Sequence, residues 1–280
     1  MSIDLATKYS PYVDEQFSKE SKLSLMTNKD FDFDGAKTVK VYKINTSEMN
    51  DYDRNGKGTF TNSRYGNIAN LGGATEEFTL RKDRSFTFAI DKMDNNETLK
   101  TLAGASALAR QDREVVIPEV DAYVINEMVN NAGIKTDSPV KLTKENIYEE
   151  ILKANTELDN FNVFDTDRFL LVTPDIFLLL KQNKDFMLST DIAQEMKIKG
   201  VIAMVDGLTV IKVPKARVPK GFGFLLGHPC ATVAPVKLHD YRVHQDPPGI
   251  SGELVEGRIV YDAFILENKN QALYYHKDSL

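Results

Sequence analysis

Two stretches in which apolar residues recur at every second position, VKVYKI (39–44) and EFTLRKDRSFTFAI (77–90), bracket the long interval DYDRNGKGTFTNSRYGNIANLGG (51–73). Alternation of that kind predicts a strand on each side. Loops longer than about fifteen residues are uncommon inside compact domains and usually either carry function or are disordered. The interval is rich in Gly and Asn, which tolerate positive φ, yet it keeps Phe60, Tyr65, Ile68 and Leu71. A free linker has no use for such groups. A lone hairpin buries little by itself, so the surface these side chains lie on is expected to belong to another subunit.

The acids of the same region raise a calcium reading. Asp51, Asp53, Asn55 and Gly56 match the opening of an EF-hand loop, and DFDFDG (30–35) makes a second approximation. Such a loop must close on a bidentate glutamate at its twelfth position and be flanked by helices. Counted from Asp51 that position is Asn62, and from Asp30 it is Val41. Neither supplies a carboxylate, and the flanks have strand periodicity. The calcium reading fails.

At 280 residues, with 42% hydrophobic and 27% charged residues, the chain can build one large or two ordinary cores. A net charge of −6 argues against a broad basic face for nucleic acid. The start, MSIDLATKYSPYVDEQF, has neither the basic nor the apolar region of a signal peptide. The most apolar stretch, FLLVTPDIFLLL (169–180), is interrupted by Thr173-Pro174-Asp175 and is too short for a bilayer. A single cysteine, Cys230, excludes internal disulfides and cysteine zinc sites, and its apolar setting HPCATVAPV reads as a buried structural thiol. These features place the chain as a soluble protein of the cytoplasm.

Along the chain, residues 1–30 read as a polar arm with one short helix begun by Ser10-Pro11. Residues 96–133 predict a long helix with Val116, Val120, Tyr123, Val124 and Met128 on one face, kinked or restarted at Pro118 and ended by Gly133 as its C′ residue. TKENIYEEILKANTELDNF (143–161) places Ile147, Ile151, Ala154 and Leu158 on one helical face, with Thr143 as cap. RFLLVT (168–173) reads as a buried strand, followed by a helix capped by Thr173-Pro174. In VIAMVDGLTVIKVP (201–214), Asp206-Gly207 between two apolar runs predicts a type I′ hairpin. GFGFLLG and ATVAPVKL predict further strands, and RIVYDAFIL (258–266) with QALYYH (271–276) predicts a second hairpin across ENKN. The class is α+β.

Chemistry is sparse. His228, His239, His244 and His276 lack ligand spacing, and no HExxH, P-loop, GxGxxG or nucleophile elbow occurs. No catalytic, cofactor-binding or metal residue is assigned, no cofactor is implied, and an enzyme is not expected.

The order of segments, together with FDFDGAKTVKVYKI, DYDR followed by RYG, KDRSFTFAIDKMDN, VDGLTVIKVP, HPCATVAPVKL, HQDPPG and VEGRIVYDAFILENK, resembles the major capsid proteins of tailed bacteriophages. These stretches look like one branch of such proteins, from phages and prophages of Gram-positive bacteria, and encapsulins share the fold. The resemblance runs from about residue 30 to 277. It implies an N-terminal arm (1–30), then a P domain (31–142) holding an extended E-loop hairpin (47–75) and a spine helix (98–133). An A domain (143–240) and return strands of the P domain (241–280) follow. It also implies a shell subunit that joins copies of itself through pentamers and hexamers into an icosahedral capsid. That capsid would enclose double-stranded DNA without sequence-specific binding. On this reading Arg54, Lys57 and Arg64 are the E-loop's cations, and Phe60, Tyr65, Ile68 and Leu71 its apolar contacts with a neighbour.

Some relatives begin with a cleaved scaffolding segment for which this chain has no room, so a separate scaffold protein is expected, with a portal and decoration proteins as further partners. No membrane is involved. The expected location is the virion, after assembly in the bacterial cytoplasm. The alternatives are an encapsulin-type compartment around a cargo enzyme, or a small-ligand enzyme or calcium-binding protein.

Overall fold

The computed structural model describes residues 23–28, 38–44, 49–55, 63–66, 70, 72–97, 104–136, 139–183 and 204–279. The chain divides into two compact units, one of Phe33–Leu80 and one of Met1–Asp32 with Arg81–Leu280.

In the smaller unit, β1 (Thr38–Ile44) pairs antiparallel with β2 (Gly73–Thr79), from Thr38 opposite Thr79 to Ile44 opposite Gly73. The Thr38 and Thr79 hydroxyls hydrogen-bond across the open end at 2.9 Å. The stretch expected as one strand over 77–90 is therefore two. It breaks at Leu80-Arg81, where the Arg81 N–H donates to the Asp262 carboxylate at 2.8 Å instead of continuing a ladder.

The larger unit opens with β3 (Lys82–Asp91) and a short helix α1 (Lys92–Glu97). Then come α2 (Gly104–Gln111), a π-helical turn (Asp112–Val116) and α3 (Ile117–Asn131). Pro118 sits in the first turn of α3, where a missing N–H leaves no helical bond unmade. The restart expected there is present, and the π turn forms its joint. Gly133 does not act as a left-handed cap. Its role is close approach: a Cβ there would lie 2.6 Å from the Asn270 carbonyl carbon, and its own N–H donates to Asn270 O at 2.9 Å.

After β4 (Ile134–Lys135) comes α4 (Ile147–Asn160). Its Ile147, Ile151, Ala154 and Leu158 are all fully buried, as their spacing predicts. Thr143 is not its cap. The helix begins at Ile147 after a turn in which Asn146 Oδ1 accepts from the Thr143 N–H at 2.8 Å. β5 (Phe169–Val172) leads into α5 (Pro174–Gln182), where the Thr173 side chain accepts from the Ile176 N–H as expected of a cap.

β6 (Met204–Val205) and β7 (Leu208–Lys212) form the predicted hairpin, with Asp206 and Gly207 at φ 48° and 77° as a type I′ turn requires. The chain continues through β8 (Phe222–Gly227), β9 (Thr232–Val233), β10 (Val236–Gln245), β11 (Gly252–Tyr261), β12 (Phe264–Ile265) and β13 (Leu273–Lys277). The second expected hairpin is absent. β11 lies between β10 and β3, β12 pairs with β9, and β13 joins a six-stranded sheet of order β4-β13-β8-β5-β7-β6. ENKN is not a turn but the body of a 3₁₀ helix, Glu267–Ala272, that carries the chain from one sheet to the other.

The six-stranded sheet is covered on both faces, which is why β5 reads as an unbroken apolar run. Phe169 and Leu171 face a core completed by Val124, Ile125 and Met128 of α3. Leu170 and Val172 face a second core made with α4 and α5. Of the expected arm, residues 23–28 are described. Met26 is buried in the first core, and the Asn28 N–H donates to Thr232 O at 2.7 Å.

Candidate functional site

Three of the seven residues singled out in the long hairpin are described: Arg54, Arg64 and Tyr65. Lys57, Phe60, Ile68 and Leu71 lie outside the described residues. The described ones are held together locally. The Asp53 N–H donates to Arg64 O at 2.9 Å, tying the two limbs across the interval. The Asn55 N–H donates to Asp53 Oδ1 at 3.2 Å, and the Tyr65 N–H to Ser63 Oγ at 3.1 Å. These side-chain turns are what Asp, Ser and Asn supply where no ladder exists. Tyr65 is 80% exposed, yet its ring meets that of Tyr52 edge-on, 4.9 Å between centroids. Arg54 and Arg64 are exposed beside them. The result is a tip with two arginines and two tyrosines turned to solvent, the residue types that dominate protein contact energies. Tyr52 was missed from the sequence. Its signal was there, an aromatic between two acids in a loop.

The larger unit carries polar groups in its interior. Asp262 has a fully buried side chain that accepts from the Arg81 N–H (2.8 Å) and Nε (3.2 Å), the Tyr123 hydroxyl (2.7 Å) and the Ala263 N–H (2.8 Å). Burial by itself pushes its carboxyl up. The hydrogen bonds from Arg81, Tyr123 and the backbone outweigh that, and the group is held below the usual carboxylate range. Burial together with the Asp262 bond pushes the Tyr123 hydroxyl well above its ordinary value. Tyr261, buried next to Glu119, is pushed up to about 12.

Arg168, 1% exposed, donates to Phe164 O (2.8 Å), Val163 O (2.6 Å) and Asn155 Oδ1 (2.5 Å), and pairs with Asp159 at 2.7 Å. Arg217 and Asp121 form a second buried pair at 2.7 Å. Each charge fastens a loop or strand end to a helix. Single charges inside apolar runs, as in RIVYDAFIL and TDRFLLV, were the available hint.

No family model matches the sequence, and no curated protein matches it. The fold has solved counterparts. A chain of Mycobacterium phage Che8 is 14% identical with a TM-score of 0.73, over 98% of this chain and 97% of that one. The capsid structure of the cyanophage P-SCSP1u gives 14% and 0.72, over 98% and 93%. The mature capsid of bacteriophage PhiM1 gives 12% and 0.71, over 98% and 92%. This is the fold of a phage capsid chain. At such low identity the agreement lies in the order and placement of elements rather than in residues.

Within this capsid fold the described residues hold no cluster of three or more His, Cys, Asp or Glu placed to bind a metal, and no helix long and apolar enough to cross a membrane. Cys230 is half-buried in a 3₁₀ turn, and burial pushes its thiol up, away from nucleophilic use. His228 Nδ1 accepts from the Cys230 N–H at 3.1 Å, a structural role. One face of β10-β11-β3 carries exposed ion pairs, Arg258 with Asp83 at 2.5 Å and Arg242 with Asp240 at 2.9 Å, and His244 Nε2 lies 3.3 Å from Glu256.

Proposed function

We propose that this chain is the major capsid protein of a tailed phage, a structural subunit that assembles with copies of itself into an icosahedral shell around double-stranded DNA. The observation that carries the reading is coverage: 98% of this chain aligns with 92–97% of chains from the phage structures named above. One fold accounts for nearly the whole length, and the hairpin that contributes least to a core of its own ends in a solvent-facing Arg/Tyr tip.

In the finer reading, residues 47–75 are the E-loop and reach across a neighbouring subunit. α3 is the spine helix of a P domain, and residues 143–240 form an A domain around the five-fold and six-fold positions. Pentamers and hexamers, a separate scaffold, a portal and decoration proteins complete the assembly, which forms in the bacterial cytoplasm and is retained in the virion. The net charge of −6 suits a wall that encloses DNA without gripping it.

The test is electron microscopy of the full chain expressed alone and with its genomic neighbours. Closed icosahedral shells support the reading. A monomer or small closed oligomer under every condition contradicts it, and a shell filled by a cargo enzyme moves it to the compartment alternative.

A further inference from the structure

Two exposed patches of opposite charge, each built around phenylalanine, lie at opposite ends of β5. At its start, the turn between α4 and β5 exposes Phe161 (44%) and Phe164 (69%) together with Asp165 and Asp167. This turn is rigid by construction. Asn162 and Asp167 hold left-handed φ of 54° and 57°, Val163 is inserted between the two cores, and buried Arg168 grips the carbonyls of Val163 and Phe164 from beneath. The Phe164 ring meets that of His228 at 5.7 Å between centroids, and both phenylalanines still present apolar surface to solvent beside the two acids.

At the other end, Lys212 stands opposite Val172, the last residue of β5. There Lys212 and Lys181 both place their ammonium groups on the Phe177 ring, at 4.7 and 4.8 Å from its centroid. Leu178, 55% exposed, adjoins them on α5. Neither lysine has a carboxylate partner among the described residues, and Asp175 is taken by Lys215. Two cations gathered on one ring, with no carboxylate partner among the described residues, fit an anion supplied by a second copy. Asp165 and Asp167 likewise enter no ion pair among the described residues.

We propose that copies of this chain meet head to tail through these patches, the acidic phenylalanine turn of one copy seated on the lysine–phenylalanine patch of the next. Three rises along the four-residue strand set its two ends roughly 10 Å apart. Complementary patches on opposite ends give a heterologous contact, the kind that closes into rings. The inference rests on the shell reading above and names a contact within its rings.

The test uses the full chain under conditions in which the wild type assembles. Asp165→Lys with Asp167→Asn, a side chain that suits the left-handed φ of 57°, reverses one patch, and Lys181→Glu with Lys212→Glu reverses the other. Each double variant should keep its circular dichroism and melting, and should need at least about tenfold more protein to assemble, because like charges then face each other. Mixed in equal amounts, the two variants are complementary again only in alternation. Even-membered rings should therefore return and odd-membered ones should not. A double variant that assembles like the wild type overturns the proposal. So does a mixture no better than its components, or a lysine variant that assembles normally while losing affinity for a short DNA duplex. Should a reversed variant not fold, Asp165→Asn/Asp167→Asn and Lys181→Gln/Lys212→Gln must raise the assembly concentration and weaken its dependence on salt, and no change in either contradicts the contact. Wild type that assembles while these outcomes fail removes this contact alone. Wild type that never assembles removes the shell reading.

Discussion

The Tyr123 hydroxyl donates to Asp262 Oδ1 at 2.7 Å and so ties the middle of α3 to the residue that follows β11. The same carboxylate takes the backbone N–H of Arg81, the first residue after the Phe33–Leu80 unit. One buried side chain thus fixes the long helix, the central strand of a sheet and the point at which the chain re-enters the larger unit.

Removing that carboxylate leaves several donors without a partner. Asp262→Ala should destabilise the subunit by about 3 kcal/mol, which is the scale for breaking a buried, hydrogen-bonded charge. Chemical denaturation measures it, and a loss under 0.5 kcal/mol contradicts the account. Because the folded pKa of Asp262 is depressed, its stabilisation is present above the unfolded value of about 4 and is lost as pH falls through the lower folded one. Asp262→Asn should therefore flatten the acid limb of the stability profile below about pH 4. A limb as steep as that of the wild type would show that Asp262 carries no such linkage.

Arg168 holds the turn at 159–167 and little else. Arg168→Met keeps the buried stem but leaves the carbonyls of Val163 and Phe164 and the Asn155 amide oxygen without their donor. A loss of about 2–3 kcal/mol is expected, with faster amide exchange confined to residues 159–168. Exchange that rises evenly over α4 and β5 would show that the arginine stabilises the domain rather than the turn.

The Arg/Tyr tip should behave in the opposite way. Tyr65 is 80% exposed, so Tyr65→Ala together with Arg64→Glu should leave monomer stability within about 0.5 kcal/mol of the wild type. The same pair should raise the protein concentration needed for assembly by about tenfold or more. A large drop in monomer stability would place the tip in the subunit's own core.

What could be read in advance was local. Ile147, Ile151, Ala154 and Leu158 show their helix because one helical face is recorded in consecutive turns, and Asp206-Gly207 shows its hairpin because the turn itself demands those residues. What could not be read was pairing at a distance. QALYYH resembles the second arm of a hairpin, yet β13 pairs with β8 and β4, and only the sheet as a whole decides that. The break at Leu80-Arg81 was hidden for the same reason, since its cause, Asp262, lies far along the chain. Tyr65 and its arginines mark the hairpin in the sequence as a candidate contact surface, while the acidic and lysine-bearing ends of β5 look like ordinary solvated charge until the fold sets them apart.

The central claim is that the hairpin serves a neighbour and not its own subunit. The register of β1 with β2 ends on Ile44 opposite Gly73, so replacing residues 45–72 by Asn-Gly closes the ladder through a two-residue turn. Electron microscopy of this variant beside the wild type, on samples matched for circular dichroism and melting, is the most direct measurement. The account predicts a folded subunit that forms no closed shells where the wild type does. Shells that close normally without the tip, or a variant that cannot fold, would contradict it.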